Sequence, residues 1–327
     1  MSFTNPLCLH WTYLVIELST YFFAVILFYD SRKHGLRWVS SYLTAMVFGL
    51  AVELTIVLMA DPEGTHYQYG TFLVMFGPSG KMVPAWVGVG WGVIVYSAMW
   101  TAQKLRVRSW VFRPMAAALL AVNIDLSLDP IAHQLGFWRW KNVESLNYYG
   151  VAFDNFLGWF LIVASFSFCV RLGFRVIPRN ARCRECWIPP LGALVSVVAM
   201  IPVRAAVPIV YDFFDGETIP FAVIFMVACG ITWIFALRSD RNHPRCIPVL
   251  AVPLYFHALL LLMLFVTESY KNEPTLIVVI PLNLLVGFFA YAWLSLDELF
   301  PQPPRMPQLT LWERLRAFGA AIKRLLR

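Results

Sequence analysis

Charged residues are scarce in this chain. Asp, Glu, Lys and Arg make up 14% of its 327 residues, against about 25% in an average soluble domain. Such a shortage argues against a water-soluble globule. Familiar cofactor signatures are missing too. There is no Gly-x-Gly-x-x-Gly after a strand, no phosphate-binding loop and no His-Glu-x-x-His pair, so no nucleotide or metal cofactor is expected. No Ser-His-Asp or Cys-His set suggests a nucleophilic triad. Among the six cysteines, Cys183 and Cys186 form one lone Cys-x-x-Cys. Without a second pair or nearby histidines this is weak zinc evidence, and free thiols facing a reducing cytosol are the plainer reading. Internal repeats are absent, and the apolar runs lack the alternation of a barrel strand.

What is abundant is apolar surface. Hydrophobic residues reach 59% and aromatic residues 16%, with a mean hydropathy of +0.65. A bilayer core takes about 20 apolar residues per helix. Nine runs meet or approach that length: 11–29, 38–60, 84–102, 110–129, 153–172, 187–207, 218–237, 247–267 and 275–295. The stretch 66–83 is a candidate re-entrant loop. The first run has no basic residues before it and no small-residue cleavage site after it, so it reads as a first span and not as a signal peptide. The expected fold is an all-α, polytopic transmembrane helical bundle with residues 1–300 as its catalytic domain.

The net charge of +7 does not point to nucleic acid, because the basic residues are dispersed between apolar runs. They fall in alternate connections. Of the 26 Lys and Arg residues, 21 lie after runs one, three, five and seven or in the tail. By the positive-inside rule this places the N-terminus outside and the C-terminus in the cytoplasm of a cell-membrane protein. Residues 301–308 form a Pro-rich linker. Residues 309–327 read as an amphipathic basic helix lying on membrane lipid, with Leu311, Leu315, Phe318 and Ile322 on one face.

Acids inside membrane runs are costly and usually face a cavity or a partner. With this topology, Glu17, Glu53, Asp125, Asp129 and Asp154 fall at a similar depth in the outer half of the membrane, with Asn155 beside Asp154. Asp125 and Asp129 stand at i and i+4, on one helix face. Dry surroundings and a like-charged neighbour both favour the protonated form of a carboxyl, which makes the pair a candidate proton donor. Plainer readings stand beside this one. Pro130 predicts that the fourth helix ends at Asp129, which would then be a terminal residue or a cap. Asp154 and Asn155 are candidate caps of the fifth helix. Glu17 and Glu53 are candidates for simple interhelical hydrogen bonds. His66 and His133 are assigned to outer loops. Trp138, Trp140, Tyr148, Tyr149 and Trp159 are either an interfacial aromatic belt or ring faces that stabilise a cation.

These residues also carry a resemblance. Asp125–Trp140 (DLSLDPIAHQLGFWRW), followed by Tyr148–Trp159 (YYGVAFDNFLGW), resembles the CruF-type carotenoid hydratases, a family of carotenoid biosynthesis membrane proteins. Glu53 and His66–Gly70 (HYQYG) are similar to its upstream features. One departure is that Gly150-Val151-Ala152 stands where the family pattern has Gly-Val-Pro. The resemblance implies addition of water to the terminal double bond of an acyclic carotenoid end group, giving a tertiary alcohol without redox change or cofactor. The implied partners are a lipophilic isoprenoid or carotenoid and water. It casts Asp125, Asp129, Glu53, Asp154 and Asn155 as catalytic candidates, and Glu17, Tyr69, Trp138, Trp140, Tyr149 and Trp159 as substrate-contacting ones. A membrane terpene cyclase would use the same protonation, and a proton-coupled transporter would also need acids in its helices. The topology is directly testable. A reporter fused after Arg327 is expected to be active on the cytoplasmic side, and an N-terminal reporter outside. The reverse pattern contradicts the charge reading.

Overall fold

A computed structural model describes residues 11–60, 63, 66–104, 110–143, 147–213 and 247–299. Eight α-helices are described: α1 (Trp11–Lys33), α2 (Leu36–Met59), α3 (Ala85–Lys104), α4 (Phe112–Leu135), α5 (Phe153–Val176), α6 (Arg184–Phe213), α7 (Ile247–Val266) and α8 (Leu276–Leu299). Seven of them are long and apolar enough to cross a membrane, and the described part of α8 adds a shorter apolar stretch, Leu276–Phe288. The protein is thus a multi-pass helical bundle. The expected run 218–237, the linker 301–308 and the helix 309–327 lie outside the described residues. The packing below belongs to the compact unit that ends at Leu294.

The helices α3 and α4 form the centre. Almost every residue of α3 from Trp86 to Ala102 is buried, and so is most of α4 from Ala116 to Ala132. A helix apolar all round is one surrounded on all sides. Around them, α2 lies along α3 and α6, α5 along α4 and α6, and α7 against α1, α3 and α4. The outer faces of α1, α2 and α6 expose large apolar side chains such as Phe22, Val47 and Leu194, as lipid-facing helices do.

The two ends of the bundle differ. At one end the basic connections gather: Arg37 and Arg184 both lie over the Phe174 ring, at 4.3 and 5.4 Å, and Lys104 lies over Trp100 at 4.7 Å. The other end carries short strands. The stretch 66–83, the candidate re-entrant loop, together with Pro84 holds β1 (His66–Tyr69), β2 (Met75–Phe76) and β3 (Val83–Pro84). Strand β1 pairs antiparallel with β4 (Trp138–Lys141), which brings Tyr67 opposite Trp140 and Tyr69 opposite Trp138. Side chains alternate along a strand, so all four aromatic rings share one face of this ribbon. A hairpin of β5 (Asn147–Tyr148) and β6 (Val151–Ala152) then leads into α5. Its two turn residues, Tyr149 and Gly150, both have positive φ, at 53° and 82°, the signature of a type I′ turn. A Cβ on Gly150 would fall 2.7 Å from His133 Nε2, so the close approach of turn and helix also requires glycine.

One expectation fails here, and for a clear reason. Helix α4 does not end at Asp129 but runs through Pro130 to Leu135, closing at Gly136 in a left-handed conformation. Proline cannot donate to the carbonyl four residues earlier, which is that of Leu126. That carbonyl accepts instead from Tyr148 Oη at 3.2 Å and Asn283 Nδ2 at 3.3 Å. Two side chains from outside thus replace the missing backbone bond, and the helix continues. Asp129 is an interior residue and not a cap. His133, expected in a loop, lies in the last turn of α4, where its Nδ1 accepts from the Trp140 amide at 3.4 Å.

Candidate active site

Under the aromatic ribbon lies a hollow. Its cavity volume is about 40 Å³. Acids and an amide from three helices open onto it: Glu53 from α2, Asp129 from α4 and Asn155 from α5. The wall is otherwise apolar and aromatic. Tyr67, Tyr69, Trp138 and Trp140 come from the ribbon, and Trp86 and Trp91 from α3. Trp159 from α5 and Phe256 from α7 complete the ring set. The Trp91 and Trp159 rings lie 4.3 Å apart, and Tyr67 and Trp140 4.7 Å.

Two separate arrangements hold the acids. Glu53, buried at 6% exposure, accepts hydrogen bonds from three side chains. Tyr67 Oη donates to Oε2, Tyr69 Oη to the same oxygen at 2.9 Å, and Trp91 Nε1 to Oε1 at 3.0 Å. Every neighbour is a donor, which suits a carboxylate. Burial, and then the charge of Glu53, push both tyrosine phenols well above the usual tyrosine range, so they remain donors at any physiological pH.

The second arrangement is the aspartate pair. Asn155 Nδ2 donates to Asp125 Oδ2 at 3.1 Å and also to Asp129 Oδ2. One amide group therefore spans both carboxyls. Asp125 is fully buried and Asp129 2% exposed, so the two carboxyls that share this amide both lie in the interior. The Trp138 indole lines the same hollow as Asp129. Asp125 Oδ1 is buried without a donor. The buried indole N–H groups of Trp86 and Trp140 likewise lack an acceptor.

The sequence-predicted residues divide accordingly. Glu53, Asp129, Asn155, Tyr69, Trp138, Trp140 and Trp159 line the hollow, and Asp125 stands behind Asp129. Glu17 does not line it. Its carboxylate accepts from the Leu73 amide at 2.9 Å and from Tyr21 Oη at 3.0 Å, fastening the loop after β1 to α1. Asp154 sits in the first turn of α5, outside the lining. Tyr149 is at the hairpin turn, where its hydroxyl accepts from Thr275 at 2.9 Å. Tyr67, Trp86, Trp91 and Phe256 were not singled out from the sequence. For Tyr67 a signal existed, since it stands two residues from Tyr69 in a strand-like stretch. The thiols of Cys183 and Cys186 are free and exposed, and no group of three or more His, Cys, Asp or Glu able to hold a metal occurs among the described residues.

Comparison with known proteins adds the family. The model of the carotenoid biosynthesis protein family matches residues 10–231, a span that contains every acid of the hollow. The chain belongs to this family. Among curated proteins, this member of the carotenoid biosynthesis protein family is similar to a bisanhydrobacterioruberin hydratase of Haloarcula japonica, 26% identical over 221 residues, covering 65% of this chain and 68% of that one. No solved structure matches.

The three donors around Glu53 make a stability prediction. Glu53→Gln replaces one accepting oxygen by a donor facing a donor, and leaving a buried group unsatisfied costs about 1–3 kcal/mol. Thermal unfolding of the purified variant should begin at a clearly lower temperature than that of the parent. An unchanged midpoint would contradict the carboxylate reading.

Proposed function

We propose that this protein is a cofactor-independent hydratase of the cell membrane, adding water across the terminal carbon–carbon double bond of an acyclic carotenoid. The observation that carries the reading is the buried pair Asp125 and Asp129, bridged by the Asn155 amide beside an aromatic hollow. An alkene is a poor base, so its protonation needs a well-placed acid in a dry site. Like charges this close repel, so the pair suits one proton held between two carboxyls. That proton supplies the donor that Asp125 Oδ1 lacks.

In the proposed reaction, the pair gives its proton to the less substituted alkene carbon, and the other carbon becomes a tertiary cation. Water attacks the cation, and the proton it sheds returns to the aspartate pair. Net, one double bond and one water become one tertiary alcohol, with no oxidation. Glu53, with donors on both oxygens, serves as a fixed anion near the cation, and the Trp and Tyr faces add cation–π attraction. The unpartnered Trp86 and Trp140 N–H groups suit the oxygen of the attacking water. Glu53 and Asn155 are better placed than Asp154 to accept its hydrogens, because both line the hollow. A water needs roughly 10–15 Å³ of such space, so a cavity of about 40 Å³ has room for water, and in this reading the dimethyl end of the polyene reaches its mouth while the rest of the chain lies in lipid.

Support also comes from the similar protein of Haloarcula japonica, a hydratase named for bisanhydrobacterioruberin. That relative favours hydration over cyclisation. Expression in a host that accumulates lycopene should yield pigment heavier by the mass of one water per modified end. A cyclic product of unchanged mass would indicate a cyclase, and unaltered lycopene would refute lycopene as substrate. General acids contribute about 10²–10⁴-fold, so Asp125→Asn should lose at least a hundredfold of activity while still accumulating in the membrane. Normal turnover in that variant would remove the assignment.

A further inference from the structure

The face of α4 opposite the aspartates carries a second buried polar cluster, which the reaction above does not use. His257 on α7 is fully buried, with Nδ1 3.0 Å from Ser127 Oγ and Nε2 3.1 Å from Asn123 Oδ1. Asn283 on α8 donates from Nδ2 to Ser127 Oγ at 3.2 Å, and its backbone carbonyl accepts from Asn123 Nδ2 at 3.1 Å. The donor–acceptor roles close into a ring. Asn283 donates to Ser127, Ser127 to His257 Nδ1, His257 Nε2–H to Asn123, and Asn123 back to Asn283. The ring is complete with a neutral imidazole carrying its proton on Nε2, a tautomer assigned from the network.

Its location gives it meaning. Asn123 and Ser127 lie two residues before and after Asp125, and Ser127 lies two before Asp129. Asn283 Nδ2 also reaches the Leu126 carbonyl that Pro130 leaves without its helical partner. The other donor to that carbonyl is Tyr148, whose phenol burial pushes up to about 12, so it too stays a donor. The segment between the two aspartates is thus the part of α4 with a missing internal bond, held from outside by α7, α8 and the β5–β6 hairpin. Residue 256, next to His257, lines the hollow. A Cβ on Gly287 would come 2.5 Å from Asn123 Oδ1 and 3.2 Å from His257 Nε2, so α8 is drawn in as tightly as glycine permits.

We infer that Asn123, Ser127, His257 and Asn283 are positioning residues, a hydrogen-bonded ring that sets the placement of Asp125 and Asp129 relative to Asn155 and the hollow. This rests on the acid role of the aspartate pair, and the test separates the two. The full-length protein in native membranes is compared as wild type, His257→Leu, His257→Gln and Asn283→Leu, at matched protein amount. A hydrophobic carbodiimide, which modifies protonated carboxyls in apolar surroundings, labels the membrane, and peptide mass spectrometry reads modification at Asp125 and Asp129. Hydrated pigment in the lycopene host is measured in parallel. Labelling in the leucine variants should depart at least threefold from wild type, with product formation down at least tenfold. His257→Gln, which keeps a donor for Asn123, should restore part of both. Wild-type-like labelling in both leucine variants overturns the ring's positioning role, whatever the activity. Altered labelling together with inactive wild type supports the ring and counts against the hydratase reading alone.

Discussion

One amide group organises this site. Asn155 reaches two carboxyls on adjacent turns of α4 with the two hydrogens of its Nδ2. Two acids buried side by side are unstable as a pair of anions. They become usable chemistry only when a donor fixes their outward oxygens and a proton occupies the space between them. The rest of the architecture serves that geometry. Helix α5 begins where the β5–β6 hairpin delivers Asn155 to α4. Helix α4 continues through a proline so that Asp129 stays on the helix face it shares with Asp125. The aromatic ribbon of β1 and β4 closes the space above.

Glu53 is built in the opposite sense. Three donors converge on it, two on Oε2 and one on Oε1. In the proposed reaction the acids of one small hollow take different parts because their neighbours differ: the carboxylate surrounded by phenols and an indole serves as the anion, and the pair sharing one amide supplies the proton. The division follows the general rule that environment, and not residue type, separates acid from counter-charge.

The sequence made the acids legible because charge within an apolar run is expensive. Asp125, Asp129 and Glu53 stood out for that reason, Asn155 only as the neighbour of Asp154, and spacing alone placed the first two on one face. The ends of α4 were not legible. Pro130 reads locally as a stop, and the donors that rescue Leu126 come from Tyr148 and from distant Asn283. Glu17 looked like the other acids, yet its carboxylate is taken by the Leu73 amide, a loop contact that carries no periodic signal. His257 was missed because a single histidine in an apolar stretch gives no pattern until α4 is placed beside it. The paired strands were invisible at two to four residues each, although their aromatic content was plain.

The central claim is that the proton comes from carboxyls in exchange with solvent and the oxygen comes from water. Isotope labelling of the product tests it most directly. Reaction in deuterated water enriched in oxygen-18 should give an alcohol carrying one non-exchangeable deuterium on the carbon next to the carbinol and one oxygen-18 in the hydroxyl. A product whose oxygen derives from molecular oxygen, or whose neighbouring carbon gains no deuterium, would contradict the account.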